Sequence, residues 1–444
     1  MKSRFQLILI ALILTASAWA AGTRGRLPRA AAADTSSHAA SHAAVAVHPD
    51  SITPDSLAAA DNGENGDALE PAEADDASDH APISVRLQRL LDNDIFQRTQ
   101  VGLYVYDLTA DTLVFAYHER QCMRPASNEK VVTAITALHT LGTNYEYRTR
   151  FYTEGTVSDS VLHGHLWVRA GYDPLLDADD LRAVTDSLRS RGIGSIEGEV
   201  RTDLSFKDDK RLGWGWCWDD KEVPLTPLLL DNRDRFAEGM RQALRRSGIG
   251  WAGTVSEGRV PESARPLCTR THHIDQVLLP MMKHSDNSMA ESMFYQIAAH
   301  ESAQPATRRR AAQAVDRLIA KVGLDPQHYQ IADGSGLSLY NYLTPELLGR
   351  LLRFAYRDEG IYRHLRPSLP IAGEDGTLRK RMRGTSAQGN VVAKTGTVEG
   401  VSTLAGYCTA ASGNVLCFSI MNQGVRHTST GRNFQDRVCR ALTF

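Results

Sequence analysis

The stretch Ser127-Asn128-Glu129-Lys130-Val131-Val132-Thr133-Ala134-Ile135 decides how this chain reads. Val131, Ile135 and Leu138 recur at helical spacing, Ser127 suits an N-terminal position and Gly142 suits termination, which predicts a helix from Ser127 to Leu141. Residues three apart share a helix face, so Lys130 can reach Ser127. A hydroxyl is a poor nucleophile until a neighbouring base takes its proton. A lysine becomes such a base when burial and nearby positive charge pull its pKa down. The positive end of the helix dipole would also favour negative charge developing at Ser127. Taken alone, this S-x-x-K reads as an N-cap serine followed by a surface lysine.

Two further motifs change that balance. Ser285-Asp286-Asn287 lies in an apolar run, where a serine can relay a proton and an asparagine amide can hold both a peptide carbonyl and a lysine. A second S-x-N, Ser412-Gly413-Asn414, has the composition of a hairpin turn and is read as one. Lys394-Thr395-Gly396-Thr397 ends the strand-like Asn390 to Ala393. An edge strand there can bind an extended peptide through its main chain, the lysine and threonine hydroxyls can bind a terminal carboxylate, and Gly396 permits close approach. S-x-x-K, S-D-N and K-T-G in this order are the combined mark of penicillin-binding proteins and class A β-lactamases.

Outward from the motifs, Ser84 to Asp92 reads as a short amphipathic helix, and Val101–Asp107 with Thr112–Tyr117 as a hairpin. Between Asn144 and His272 the texture changes. Short strands at Tyr145 to Tyr152, Val161 to Arg169 and Ile196 to Thr202 mix with helices near Asp177 to Arg191 and Arg235 to Arg246, which looks like an inserted unit. Ile274 to His300 and Arg308 to Val322 read as helices. Strands follow at Val391 to Thr397, Leu404 to Thr409 and Val415 to Asn422, and a last helix at Arg432 to Leu442. The fold class is therefore α+β, with an antiparallel sheet assembled from both ends of the chain over residues 83–143 and 273–444, split by one smaller α/β insertion over 144–272.

The 444 residues are 42% hydrophobic and 23% charged, which excludes both a wholly disordered chain and a polytopic membrane protein. Acidic residues crowd between Asp34 and Asp79, so the formal net charge of -2 hides a mildly basic body, suited to an anionic substrate and too weak for nucleic-acid binding. Lys2 and Arg4, the apolar run Leu7 to Leu14 and then Ala18-Trp19-Ala20 follow the order of a secretory signal peptide, expected over 1–20. The run is shorter than the roughly 20 apolar residues of a spanning helix, so no transmembrane span is expected after cleavage. Residues 21–82 lack aromatics and read as a disordered spacer rich in Ala, Asp and Ser. Export places the protein in the periplasm and permits disulfides among its six cysteines. A tight turn at Ser412-Gly413 would place Cys408 opposite Cys417, the one pairing that local geometry favours.

The chain resembles the low-molecular-mass class C penicillin-binding proteins, the D-alanyl-D-alanine carboxypeptidases and endopeptidases of the penicillin-binding protein 4 type. Beyond the three motifs the likeness rests on Gly171-Tyr-Asp-Pro-Leu-Leu176, Trp214-Gly-Trp-Cys-Trp-Asp-Asp220, Leu230-Asp-Asn-Arg233, Asp333-Gly-Ser-Gly-Leu-Ser338 and Leu369-Pro-Ile-Ala-Gly-Glu-Asp-Gly-Thr-Leu378. The resemblance implies a penicillin-binding, β-lactamase-like serine transpeptidase domain. It implies Ser127 as acylated nucleophile, Lys130 as its base, and Ser285 with Asn287 as proton relay and positioning group. Lys394, Thr395, Gly396 and Thr397 would bind the terminal carboxylate, with the backbone N–H groups of Ser127 and Thr397 as oxyanion hole. Asp220 and Arg381 would face the substrate from the insertion and the main domain. No cofactor is implied.

The expected activity is that of a serine-type D-Ala-D-Ala carboxypeptidase, with possible endopeptidase action, on peptidoglycan stem peptides, with β-lactam antibiotics as covalent inhibitors. Two other readings stand beside it. A class A β-lactamase deacylates with a glutamate placed after S-D-N, whereas Glu222-Val-Pro-Leu-Thr226 comes before it and lacks the asparagine. A non-catalytic peptidoglycan-binding or β-lactam-sensing protein would have no need of both Ser127 and Lys130.

Overall fold

The computed structural model describes residues 81–300 and 305–444. The leader expected over 1–20 and nearly all of the spacer expected over 21–82 lie outside them.

Helix α1 (Ile83–Leu91) leads into the hairpin β1 (Gln100–Asp107) and β2 (Thr112–Tyr117), and a 3-10 turn at Ala126–Asn128 opens α2 (Glu129–Leu141). The chain then forms β3 (Glu146–Ser158), β4 (Val161–Arg169), α3 (Ala178–Ser190), β5 (Ser195–Ile196), β6 (Val200–Asp203), α4 (Phe236–Arg246), β7 (Gly250–Trp251), β8 (Val255–Glu257) and β9 (Arg265–His273). After these come α5 (Ile274–Lys283), α6 (Asn287–His300), α7 (Arg308–Lys321), α8 (Pro345–Arg357) and α9 (Glu359–Ser368). The hairpin strands β10 (Val392–Val398), β11 (Val401–Thr409) and β12 (Val415–Gln423) and the helix α10 (Thr428–Thr443) complete the fold. The class is α+β.

One antiparallel sheet has the order β10-β11-β12-β1-β2, so strands from the two ends of the described chain lie side by side, Gln100 opposite Gln423 and Asp107 opposite Leu416. Its two faces bury different helices. On one, Tyr407, Cys417 and Met421 pack with Val131, Ile135, Phe294 and Leu351 from α2, α6 and α8. On the other, Leu404, Phe418 and Ile420 pack with Leu87 of α1 and with Phe434 and Val438 of α10. Burying each such side chain contributes about 1.5–3 kcal/mol, which is what fixes the sheet between its two helical layers. The strands of the second sheet all fall between Glu146 and His273, in the order β7-β5-β4-β3-β9 with β6 paired to β4 and β8. That sheet has its own core, in which Phe151, Leu166 and Val168 meet Leu181 and Val184 of α3 and Met240 of α4.

Several local expectations change. Ser127 does not open α2. It sits in the 3-10 turn, Asn128 occupies the N-cap position without a side-chain bond, and the preceding Ala126 has a left-handed φ of 46°. Directly beneath, Gly336 has φ +81° and any Cβ there would stand 1.8 Å from Ala126 O, so the turn closes over a residue that must be glycine. The helix expected from Ile274 to His300 is two helices. Ser285 takes φ 63°, and Asp286 Oδ1 accepts the Met289 amide at 2.8 Å, the bond an N-cap makes, so α6 starts anew. The strand expected at Ile196 to Thr202 divides into β5 and β6 around Gly198, whose Cβ would meet Gly164 O at 2.2 Å. Helices α8 and α9 were not anticipated, although Thr344-Pro345-Glu346 is a strong start signal and Thr344 does cap the Leu347 amide.

The expected Cys408–Cys417 disulfide is absent, and all six cysteines are free. The β11–β12 register pairs Cys408 with Leu416 and Tyr407 with Cys417. One position of offset sends the two thiols to opposite faces of the sheet, Cys408 toward the α10 side and Cys417 toward the α8 side.

Candidate active site

Three separate parts of the chain converge where α2 meets α6 and the strand β10. The turn at Ala126–Asn128 is held against the sheet by Thr403 Oγ1, which donates to Pro125 O at 2.7 Å. Gly396 packs into the same corner, where a Cβ would lie 2.1 Å from Thr403 Oγ1, 2.7 Å from Pro125 O and 3.1 Å from Asn128 N. The close approach read from the sequence is thus an approach of β10 to the serine turn.

Lys130 is wholly buried and donates three hydrogen bonds: to Ser127 Oγ at 3.0 Å, Asn287 Oδ1 at 2.6 Å and Ser335 O at 2.8 Å. Three acceptors match the three protons of an ammonium. Burial is the largest influence on its pKa and pulls it down to about 8, against the opposing pull of Asp333, Asp286, Glu291 and Glu222. Ser127 remains partly exposed. A hydroxyl reachable from solvent therefore faces an amine concealed from it.

Lys394, also wholly buried, donates to Ser285 Oγ and to Thr395 O, each at 2.8 Å. Burial, and then the charge of Lys130, hold its pKa well below the ordinary lysine value. Thr395 and Thr397 stay accessible, and Thr395 Oγ1 donates to Thr377 Oγ1 at 2.8 Å. Strand β10 is the sheet's terminal strand. Its first half is covered, since Ala393 N donates to Pro370 O and Ala372 N to Val391 O, each at 2.9 Å. From Lys394 onward no further strand pairs with its outer side among the described residues.

Ser127, Lys130, Ser285, Asn287, Lys394, Thr395, Gly396 and Thr397 are accordingly brought to one place. Asp220 and Arg381 make their side-chain hydrogen bonds with other groups, although Asp220 also faces Glu222. The Asp220 carboxylate folds back on its own loop and accepts the Cys217 amide at 2.6 Å. The Arg381 guanidinium is spent on α10, donating to Asp436 Oδ1 at 2.6 and 2.9 Å, to Gln435 Oε1 at 3.1 Å and to Arg432 O at 3.2 Å.

Other residues take places that the sequence did not advertise. Glu222, set aside on grounds of chain order, accepts from Asn287 Nδ2 at 2.6 Å, and burial raises its carboxyl pKa. The loop holding the Ser335 carbonyl is shaped by two buried acids. Glu291 Oε1 accepts the Gly334 and Ser335 amides at 3.0 and 2.9 Å. Asp333 accepts from the Gly336 and Ser338 amides, from Asn341 Nδ2 and from Trp216 Nε1. Burial pushes the Glu291 carboxyl up to about 8. Among the described residues no group of three or more His, Cys, Asp or Glu could hold a metal ion.

With this geometry in view, the model of the D-Ala-D-Ala carboxypeptidase 3 (S13) family matches residues 84–231 and 224–443. Among characterised relatives, the D-alanyl-D-alanine carboxypeptidase DacB of Haemophilus influenzae is 25% identical over 405 residues, covering 72% of this chain and 84% of its own. A D-alanyl-D-alanine carboxypeptidase of Actinomadura sp. is 27% identical over 440 residues, covering 76% and 80%. Among solved structures, that of penicillin binding protein 4 (dacB) from Haemophilus influenzae superposes with a TM-score of 0.72 at 24% identity, covering 82% of this chain and 98% of that one. The same protein complexed with a β-lactam superposes at 0.66.

Proposed function

This chain belongs to the D-Ala-D-Ala carboxypeptidase 3 (S13) family, and from that premise we propose that it is a serine-type D-Ala-D-Ala carboxypeptidase that works through an acyl-enzyme on Ser127. The observation that carries the reading is the 3.0 Å contact between Ser127 Oγ and a buried Lys130 whose pKa is drawn down to about 8. In its neutral form Lys130 takes the hydroxyl proton as Ser127 Oγ attacks the carbonyl between the two terminal D-alanines. The oxyanion that forms is received by the backbone N–H groups of Ser127 and Thr397. Ser285 relays the proton taken up by Lys130 to the departing amine, which returns both groups to their starting state, and D-alanine leaves. Water then releases the shortened peptide from Ser127.

Lys394, Thr395 and Thr397 would bind the substrate's terminal carboxylate, and the open half of β10 would take its main chain as an added strand. Residues 144–272 form the inserted domain in this reading, and stem peptides of peptidoglycan are the substrate. The leader read over 1–20 would deliver the enzyme to the periplasm. Cross-link cleavage by the same acyl-enzyme chemistry, and covalent inhibition by β-lactams, follow from the same nucleophile. No helix among the described residues is long and apolar enough to cross a membrane.

The test incubates the purified protein with a muropeptide ending in D-Ala-D-Ala and, separately, with a fluorescent penicillin. Free D-alanine and a stable label, both abolished in Ser127→Ala, are the expected results. A label without D-alanine release would make the protein a sensor, steady turnover of penicillin would make it a β-lactamase, and a label persisting in Ser127→Ala would remove the nucleophile assignment.

A further inference from the structure

Asn287 stands between groups from two distant parts of the chain. Its Oδ1 accepts from Lys130 Nζ and its Nδ2 donates to Glu222 Oε1, both at 2.6 Å. An asparagine amide is nearly symmetric in shape, so which end meets the lysine depends on what the other end finds. An ionised carboxylate can only accept, and therefore compels the amide to present its nitrogen to Glu222 and its oxygen to Lys130. The neighbouring Asp286 is gripped from the same stretch of chain, because Asn232 Nδ2 donates to Asp286 Oδ2 at 2.9 Å. The loop that delivers Glu222 is itself fixed: Trp216 Nε1 donates to Asp333 Oδ2 at 2.9 Å, Ser338 Oγ to Trp214 O at 2.7 Å, and Leu225 N to Arg211 O at 2.9 Å. Glu222 is thus held in place from outside the catalytic machinery.

We propose that Glu222 is a positioning residue of this enzyme: it sets the flip of Asn287, and through that amide it holds Lys130 on Ser127. The inference rests on the acyl-enzyme reading given above. It places a control point for the Ser127–Lys130 pair in the loop between the first and second motifs.

Charge supplies a second consequence. Lys130 is faced by Asp286, Glu291 and Asp333 as well as Glu222, with Glu129 next to it on α2 and Lys394 opposing them from β10. Glu222 is faced by Lys130, Asp286 and Asp220. Burial raises the Glu129, Glu222 and Glu291 carboxyl pKa values; Glu291, at about 8, is largely protonated at neutral pH, whereas the Asn287 hydrogen bond and the Lys130 charge favour the ionised form of Glu222. Removing the Glu222 charge therefore favours the neutral amine. Glu222→Gln keeps an acceptor oxygen for Asn287 while deleting the charge, whereas Glu222→Ala deletes both.

The experiment measures the second-order rate of acylation by a fluorescent penicillin from pH 5.5 to 9.5 for wild type, E222Q and E222A, with thermal unfolding as a check on folding. In E222Q the acidic limb should move to lower pH by about half to one unit, the effect of one removed charge a few ångströms away. In E222A the maximal rate should fall about tenfold, the loss of one oriented charge-assisted hydrogen bond. A merely structural role would lower the melting temperature and leave the limb where it is. An unshifted limb in E222Q overturns the proposal, as does an E222A rate within about twofold of wild type; should E222A not fold, the E222Q limb decides. Wild type that never labels would remove the acyl-enzyme reading and this inference with it, whereas labelling wild type with unaltered variants would remove this inference alone.

Discussion

Glu291→Gln should make this protein more stable, and by an amount that grows with pH. Glu291 is buried on α6, and one of its oxygens already accepts the Gly334 and Ser335 amides, a role that a glutamine Oε1 can keep. Burial raises the carboxyl from its ordinary 4.5 to about 8. Because the folded value lies above the unfolded one, the carboxyl's contribution to stability is complete below pH 4.5 and is lost as pH climbs through about 8. Between those limits the unfolded chain ionises its glutamate and the folded one cannot. Each pH unit in that window is worth about 1.4 kcal/mol, so wild type gives up about 1 kcal/mol at pH 5, about 3 at pH 7 and about 4 at pH 8. Glutamine does not titrate and escapes the loss. Denaturant unfolding of both proteins at pH 5, 6, 7 and 8 should give curves that diverge upward in favour of Glu291→Gln and level off beyond pH 8. Parallel curves, or a variant destabilised equally at every pH, would show that Glu291 is ionised in the folded protein.

Two further outcomes follow from the site. The rate of Ser127 acylation in wild type should rise about tenfold per pH unit below pH 8 and flatten above it, since Lys130 must be neutral to act and its pKa is drawn down to about 8; a rate flat between pH 6 and 8 would exclude it as the base. Gly396→Ala should slow acylation more than about tenfold and destabilise by about 1–3 kcal/mol, because its Cβ meets Thr403 Oγ1 and Pro125 O well inside contact distance; normal kinetics and an unchanged melting temperature would show that β10 and the serine turn do not need this close approach.

The parts of the site legible in the sequence are those whose chemistry demands a fixed residue at a fixed spacing. Ser127 and Lys130 are three apart, and Lys394 to Thr397 end a run of β-branched and small residues, so both could be placed on elements before any contact was known. Glu222 could not, because its role comes from a loop pinned to Asp333 and Ser338, more than a hundred positions away in the chain. The contacts that Asp220 and Arg381 make, with the Cys217 amide and the side chain of Asp436, have no signature in the sequence either. The break between α5 and α6 is hidden because apolar residues continue on both sides of it, and the left-handed Ser285 and the capping bond from Asp286 to Met289 reveal it. The thiol pair Cys408 and Cys417 shows how little separates a plausible bridge from an impossible one, since a single position of strand register decides which side of the sheet each sulfur faces.

The pairing of β1 with β12 also bears on how the molecule is made. Gln100 and Gln423 touch across 323 positions of chain, which a ribosome adding about 5–20 residues per second needs roughly 15–65 s to span. Throughout that interval the first hairpin exists without its neighbour, one flank greasy and its main chain unsatisfied, a template for any other extended polypeptide nearby. Without β10 to β12 the nucleophile's turn would lack the wall it leans on, so everything upstream has to wait until those strands are made.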